Sequence, residues 1–198
     1  MNSIEYDLGY IQAGLIVLEK YLLSDEVFWP LAANPPKGEA EYPRLTLDGL
    51  LLAKARLCAY QVTIHQKAQV ERVAHELELN RSKWRMAWEK KAGECYRVRV
   101  RLWQDYLEEY QDNPVDNASR YTYAVRYRVM LDLVQDELRQ QNTTQAELLA
   151  RLDGYLKSVI VPAVFIWDAA IQTGFPPEKY WYLYGKLPQS GIHKPTTK

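Results

Sequence analysis
The residues best equipped for chemistry in this chain stand between positions 81 and 101. Arg81, Lys83, Arg85, Lys90, Lys91, Arg97, Arg99 and Arg101 crowd this stretch against Glu89 and Glu94. Such a run of cations can hold an anion, or the phosphates of a nucleic acid that Lys and Arg neutralise. Asp105, Glu108, Glu109 and Asp112 follow it. On one helix this order reverses what the macrodipole favours, an effect of about 0.3–1 kcal/mol per terminal charge. A second reading needs no ligand. If the preceding helix folds back antiparallel, Glu71, Glu76 and Glu78 meet Arg81, Lys83 and Arg85, while Lys54 and Arg56 meet Asp105 and Glu109. The charges then neutralise one another across a hairpin.

Arg99 is the most informative single position. On a helical wheel it falls inside the apolar arc of Cys95, Val98, Val100, Leu102, Trp103 and Tyr106. A buried guanidinium keeps its proton and needs a carboxylate or several carbonyls. Asp132 and Asp168 offer the carboxylate; alternatively the side chain bends to the protein edge with its stem packed. A second polar seam, Lys54, Gln61, His65 and Arg72, borders the apolar arc of the preceding helix. Arg99, Gln61 and His65 are thus candidates to line a small-ligand pocket with Asp132 and Asp168.

Signals for catalysis or for a metal are missing. The histidines are His65, His75 and His193, and Glu71 stands one turn from His75. A di-iron bundle needs Glu-x-x-His on two helices, a pattern this chain lacks. No phosphate-binding glycine loop, nucleophile elbow or cysteine pair at zinc spacing occurs. No catalytic, cofactor-binding or metal-binding residue is assigned.

The elements that must position these side chains are helices. Between Pro43 and Pro114 there is no proline, and the only glycines are Gly49 and Gly93. Leu51, Ala55, Cys58, Val62 and His65, then Val70, Val73 and Leu77, repeat at helical spacing; Trp84, Trp88, Cys95, Leu102 and Tyr106 form a second stripe. This predicts two helices of about 30 residues, each roughly 45 Å long. The first starts near Thr46 or Asp48, and the break between them falls at Asn80–Ser82, where side chains can cap; one continuous helix is the alternative. Residues 96–102 alternate with period two, a strand signal, but their flanks are helical and decide for helix.

Ahead of this pair, Ile4, Leu8, Ile11, Leu15, Leu18 and Leu22 mark a first helix from Ser3 to Leu23. Gly9, Ala13 and Gly14 allow a neighbour to approach it closely. A proline-rich loop (Pro30, Pro35, Pro36, Pro43) follows, pinned by Phe28, Trp29 and Leu31. A fourth helix runs from Asn117 or Ser119 to Gln141, with Tyr123, Tyr127, Leu131, Val134 and Leu138 inward. A fifth opens at Thr144-x-x-Glu147, a capping box, and kinks at Pro162 on its way to Ile171. Tyr180, Trp181, Tyr182 and Tyr184 form a short aromatic C-terminal helix that packs back. The stretch Tyr96-x-Val98-Arg99-Val100-Arg101-Leu102 echoes Tyr123-x-Val125-Arg126-Tyr127-Arg128-Val129, a chance likeness or a duplicated helix.

The segment Ala74-x-x-Leu77-x-Leu79-Asn80-Arg81-Ser82-Lys83-Trp84-Arg85 resembles the junction of a helix-turn-helix, which implies a basic second helix in the major groove. It departs from that motif at Glu78, where a turn glycine is usual, and in the length of both helices. Composition weighs against a strong global field: the 198 residues carry 25 basic and 25 acidic side chains. Cys58 and Cys95 on apolar faces read as buried reduced thiols of a cytoplasmic protein. The N-terminus has no signal-peptide pattern, and Val159–Ile171 is too short to span a bilayer.

The expected fold is all-α: a five-helix antiparallel bundle over residues 1–188 with a flexible tail at 189–198. The expected role is a non-catalytic scaffold, adaptor or regulatory protein that binds a protein partner or itself, without cofactor or membrane. The alternatives are nucleic-acid binding through residues 81–101, and a small ligand held near Arg99 and His65.

Overall fold
The Ser3 hydroxyl accepts the Tyr6 amide at 3.1 Å and so starts α1 (Ile4–Leu23), as a serine ahead of an apolar heptad should. The computed structural model describes residues 3–139 and 143–189. After α1 come α2 (Leu47–Ala59), α3 (Ile64–Lys83), α4 (Arg85–Asp112), the short α5 (Pro114–Asn117) and α6 (Tyr121–Ala124), α7 (Arg126–Gln135) and α8 (Thr143–Val159). Three 3-10 turns, Ala118–Arg120, Ala169–Gly174 and Trp181–Tyr184, and one antiparallel pairing of β1 (Val161–Pro162) with β2 (Gly185–Lys186) complete the described residues. The protein is predominantly helical, and among the described residues no helix is long and apolar enough to cross a membrane.

Side-chain pairs fix how the helices run. Asp7 meets Arg56, and Gly14 faces Leu45 and Leu50, so α1 and α2 are antiparallel. Glu5 meets Gln66 and Glu19 meets Lys83, so α1 and α3 run parallel. Trp88 reaches Glu137 and Trp103 reaches Tyr121, which sets the chain from α6 through α7 antiparallel to α4. One buried cluster runs through all of these, from Leu8 and Ile11 through Leu50 and Leu57 to Trp103, Val129 and Tyr182.

The break between the long helices lies at Tyr60–Thr63, not at Asn80. Thr63 and Gln66 form a reciprocal capping box: the Thr63 hydroxyl accepts the Gln66 amide at 3.3 Å, and Gln66 Oε1 accepts the Thr63 amide at 3.0 Å. Asn80 sits inside α3 and bonds back to the Glu76 carbonyl. From there the ladder continues without a turn. Trp84 donates to the Asn80 carbonyl at 2.9 Å, and Trp88 donates to that of Trp84 at 2.8 Å. Residues 64–112 therefore make one rod, bent at Trp84, where ψ is +31°. The expected hairpin of helices 2 and 3 is not formed, and neither is the turn of a helix-turn-helix.

Other expectations shift with it. The fourth helix is divided into α5, a 3-10 turn, α6 and α7, and it ends at Gln135, short of the expected Gln141. This changes its phase, and Tyr123 is 62% exposed instead of inward. Pro162 does not kink a fifth helix. It excludes the α region for Val161 and lacks the amide a helix would need, so α8 ends at Val159 and the chain pairs with Gly185–Lys186. The aromatic C-terminal segment is a 3-10 turn that packs back, with Tyr182 and Leu183 fully buried. Cys58 is exposed, whereas Cys95 is buried and burial pushes its thiol up to about 12. Apart from Gln189, the tail at 189–198 lies outside the described residues.

Two glycines separate packing from propensity. A Cβ at Gly14 would stand 2.8 Å from Leu50 and 2.9 Å from Leu45, while a Cβ at Gly93 in α4 meets nothing within 4 Å. Gly14→Ala should destabilise by about 1–3 kcal/mol through overpacking. Gly93→Ala should stabilise by about 0.5–1 kcal/mol by removing backbone freedom from the unfolded chain. Urea melts of both variants check this; shifts of equal sign would contradict the packing described.

Candidate functional site
The basic residues of α3 and α4 disperse over separate neighbours. Arg81 binds Glu137 at 2.6 Å and Glu78 at 2.9 Å, and Lys83 lies 3.7 Å from Glu19. Arg85 pairs with Glu89 and Lys90 with Asp25, both at 3.0 Å. Lys91 is fully buried: its ammonium donates to the carbonyls of Ser24 and Glu26 and sits 3.0 Å from Glu94. It anchors the end of α1, a structural task. Arg97 is exposed beside a cleft shared with Glu89, Glu94, Lys90 and Arg139. The six cations do not form one open patch, and apart from Arg81–Glu78 within a turn they do not pair with the acidic end of the preceding helix.

The expected cluster of Arg99, Asp132, Asp168, Gln61 and His65 does not assemble either. Gln61 and His65 are exposed at the α2–α3 break. Asp168 is exposed too and caps the Ala169–Gly174 turn by accepting the Ala170 amide at 2.8 Å. Asp132 belongs to Arg128 and to Tyr182, whose hydroxyl donates to it at 2.6 Å. Arg99 is buried, and its carboxylate is Asp48, which is 0% exposed. Asp48 read in the sequence only as a possible helix cap; Thr46 takes that role and also accepts from Arg99. The overlooked signal is an acid inside the leucine-rich run Leu45–Leu52.

Three buried or nearly buried arginines share one geometry. Arg56 donates from Nε and Nη2 to the two oxygens of Asp7 at 2.8 and 2.6 Å. Arg128 does the same to Asp153 at 2.8 and 2.9 Å. Arg99 presents the same Nε–Nη2 edge to Asp48, with Nη2 at 3.2 Å. Planar guanidinium and planar carboxylate match in this fork, which makes each bond short and directional. Burial alone would lower the pKa of Arg99; the charge and hydrogen bond of Asp48 outweigh it, so the pKa is raised. At Arg128 burial is likewise opposed, there by the Asp153 hydrogen bond and by Tyr182 and Asp132.

Arg126 is the exception. It has no ion pair among the described residues, and its Nε is buried without a hydrogen-bond partner. Its guanidinium instead stacks 3.6 Å from the centre of the Tyr123 ring and 5.2 Å from that of Tyr127. It lines a groove of about 660 Å³ between α2, the α6–α7 bend and residues 166–171. Ile166 and Trp167 give the groove an apolar wall backed by the fully buried Ile171, Ser119 and Thr122 add hydroxyls, and Arg56 and Asp168 also line it. The Trp167 indole is fixed across it by donating to the Thr122 carbonyl at 3.0 Å. Among the described residues no three His, Cys, Asp or Glu side chains converge as a metal site would require. The arrangement is suited to holding a ligand by charge and apolar contact.

The dry pairs and the open groove should respond differently to mutation. Asp48→Asn strands the buried Arg99 charge and should cost about 3–5 kcal/mol in urea denaturation. Arg126→Gln, at the groove, should cost under about 1 kcal/mol; equal losses would contradict the distinction. The chain matches no protein-family model, and no curated protein or solved structure is found to be similar to it.

Proposed function
We propose that this protein is a non-catalytic helical scaffold that holds a ligand in the Arg126–Trp167 groove. The observation that supports this reading is the uncompensated guanidinium of Arg126 on an apolar wall, in a fold where Arg56, Arg99 and Arg128 are each held by a carboxylate. The Arg56–Asp7, Arg99–Asp48 and Arg128–Asp153 pairs are largely enclosed and mutually satisfied, as in a framework. The nucleic-acid alternative has less support, because Lys91 is buried and Arg81, Lys83, Arg85 and Lys90 share their charge with acids. Binding near Arg99 and His65 loses its basis, since Arg99 is enclosed with Asp48 and His65 lies elsewhere on the surface.

The experiment is a thermal-shift screen of small organic anions, cations and neutral compounds. A groove ligand at about 100 times its Kd should stabilise the fold by about 2.7 kcal/mol, and it should be recovered unchanged. Arg126→Gln should abolish the shift. Stabilisation that survives this substitution, or turnover of the compound, would count against the reading.

Self-association is a second reading. It is favoured by Ile16 and Leu23, 85% and 59% exposed on one face of α1. Light scattering at two concentrations should then show a dimer that Ile16→Glu disperses; a monomer at both removes the reading.

A further inference from the structure
Resting on that reading, we infer that the ligand presents a single carboxylate on an aromatic or aliphatic body, and that this carboxylate completes at Arg126 the fork that Asp7, Asp48 and Asp153 complete elsewhere.

The argument begins with edges and faces. A guanidinium donates hydrogen bonds in its own plane, whereas an aromatic ring attracts its face. Tyr123 occupies a face of Arg126 at 3.6 Å and supplies no acceptor to the edge. The Nε of that edge is buried and donates to nothing. In Arg56, Arg99 and Arg128 the corresponding Nε and the adjacent Nη2 grip both oxygens of one carboxylate. The sequence echo gives the comparison a local form, since Arg126 occupies the position of Arg99. Both guanidinium groups lie beside the same ring, Tyr127, at 5.2 and 5.5 Å. Arg99 has Asp48; Arg126 has the groove. Tyr123 is itself 62% exposed, so its ring can swing outward without disturbing the core, and binding at the fork requires that this swing admit a carboxylate to the buried Nε.

The rest of the groove narrows the class of ligand. Arg56 adds no free charge, because Asp7 already holds its Nε–Nη2 edge. Asp168 lines the same groove, so it repels a dianion about twice as strongly as a monoanion at the same distance. Ile166 and Trp167 provide an apolar wall that a small hydrophilic acid would leave unused. A monoanionic carboxylate with an apolar body satisfies all three conditions.

The test is calorimetric titration of the full chain with 3-phenylpropanoate, its uncharged analogue 3-phenylpropanamide, and phenyl phosphate. The carboxylate should bind saturably, and the amide should bind about tenfold or more weakly, the difference expected of charge-assisted hydrogen bonds. Phenyl phosphate should bind more weakly than the carboxylate and gain on Asp168→Asn. Arg126→Lys, which keeps the charge and loses the fork, should weaken 3-phenylpropanoate by about tenfold. Circular dichroism verifies that this variant is folded, and the three-compound series on the unaltered protein stands without it. Equal binding of acid and amide would overturn the carboxylate inference and leave the groove reading intact. Tighter binding of phenyl phosphate would overturn it in favour of a phosphate site. Binding of none of the three would overturn the carboxylate inference, while the groove reading falls only if no compound of the thermal-shift screen gives a shift that Arg126→Gln abolishes.

Discussion
Arg99 carries a full positive charge into a region where only 7% of the residue meets solvent, and the surrounding chain is arranged to make that tolerable. Asp48, at the start of α2, neutralises it, and the Thr46 hydroxyl also accepts from its Nη2. The rings of Phe28 and Tyr127 lie 5.6 and 5.5 Å from it. These contacts tie α4 to α2, to the proline-rich connection and to α7. The Asp48 carboxylate also accepts the Gly49 amide at 2.9 Å, so the pair doubles as part of the helix start. Desolvating two charges costs several kcal/mol per ion, and only the fork geometry with its added hydrogen bonds offsets that. Such a pair contributes more to fixing which helices meet than to net stability.

The same device recurs at Arg56–Asp7 between α2 and α1, and at Arg128–Asp153 between α7 and α8. Lys91 closes the end of α1 through two carbonyls. Of the cations that looked in sequence like a surface for an anion, Lys91 and Arg99 are internal ties, while Arg81, Lys83, Arg85 and Lys90 meet acids at the surface. Arg126 stands apart because its face is occupied and its edge is not. The proposed binding role of Arg126 rests on that contrast more than on the size of the groove.

How much of this was legible follows from the range of each interaction. Helix α1 is local, and the heptad of Ile4, Leu8 and Ile11 carried it; the small residue at Gly14 signalled a close approach but not its partners, Leu45 and Leu50. The capping box that ends the gap before α3 was equally local, in Thr63 and Gln66, but Asn80 and Ser82 drew the break to the wrong place. Once the break moves, the partners of Arg81, Lys83 and Arg85 change, because charge pairing depends on which helices are neighbours. Asp48 as the partner of Arg99 lies 51 residues away, and no periodicity reports such a pairing. Arg126 was visible only as one half of a short echo, since its significance is the absence of a carboxylate that its counterpart possesses.

The most direct measurement is the Nε–H spectrum of the arginines by nitrogen-15 NMR. Resonances of Arg56, Arg99 and Arg128 should be displaced from the free-arginine position and exchange slowly with solvent, as hydrogen-bonded donors do. Arg126 should lie near the free position and move toward the others when 3-phenylpropanoate is added. An Arg99 signal at the free position, or an Arg126 signal already displaced without ligand, would contradict the division between filled and open forks.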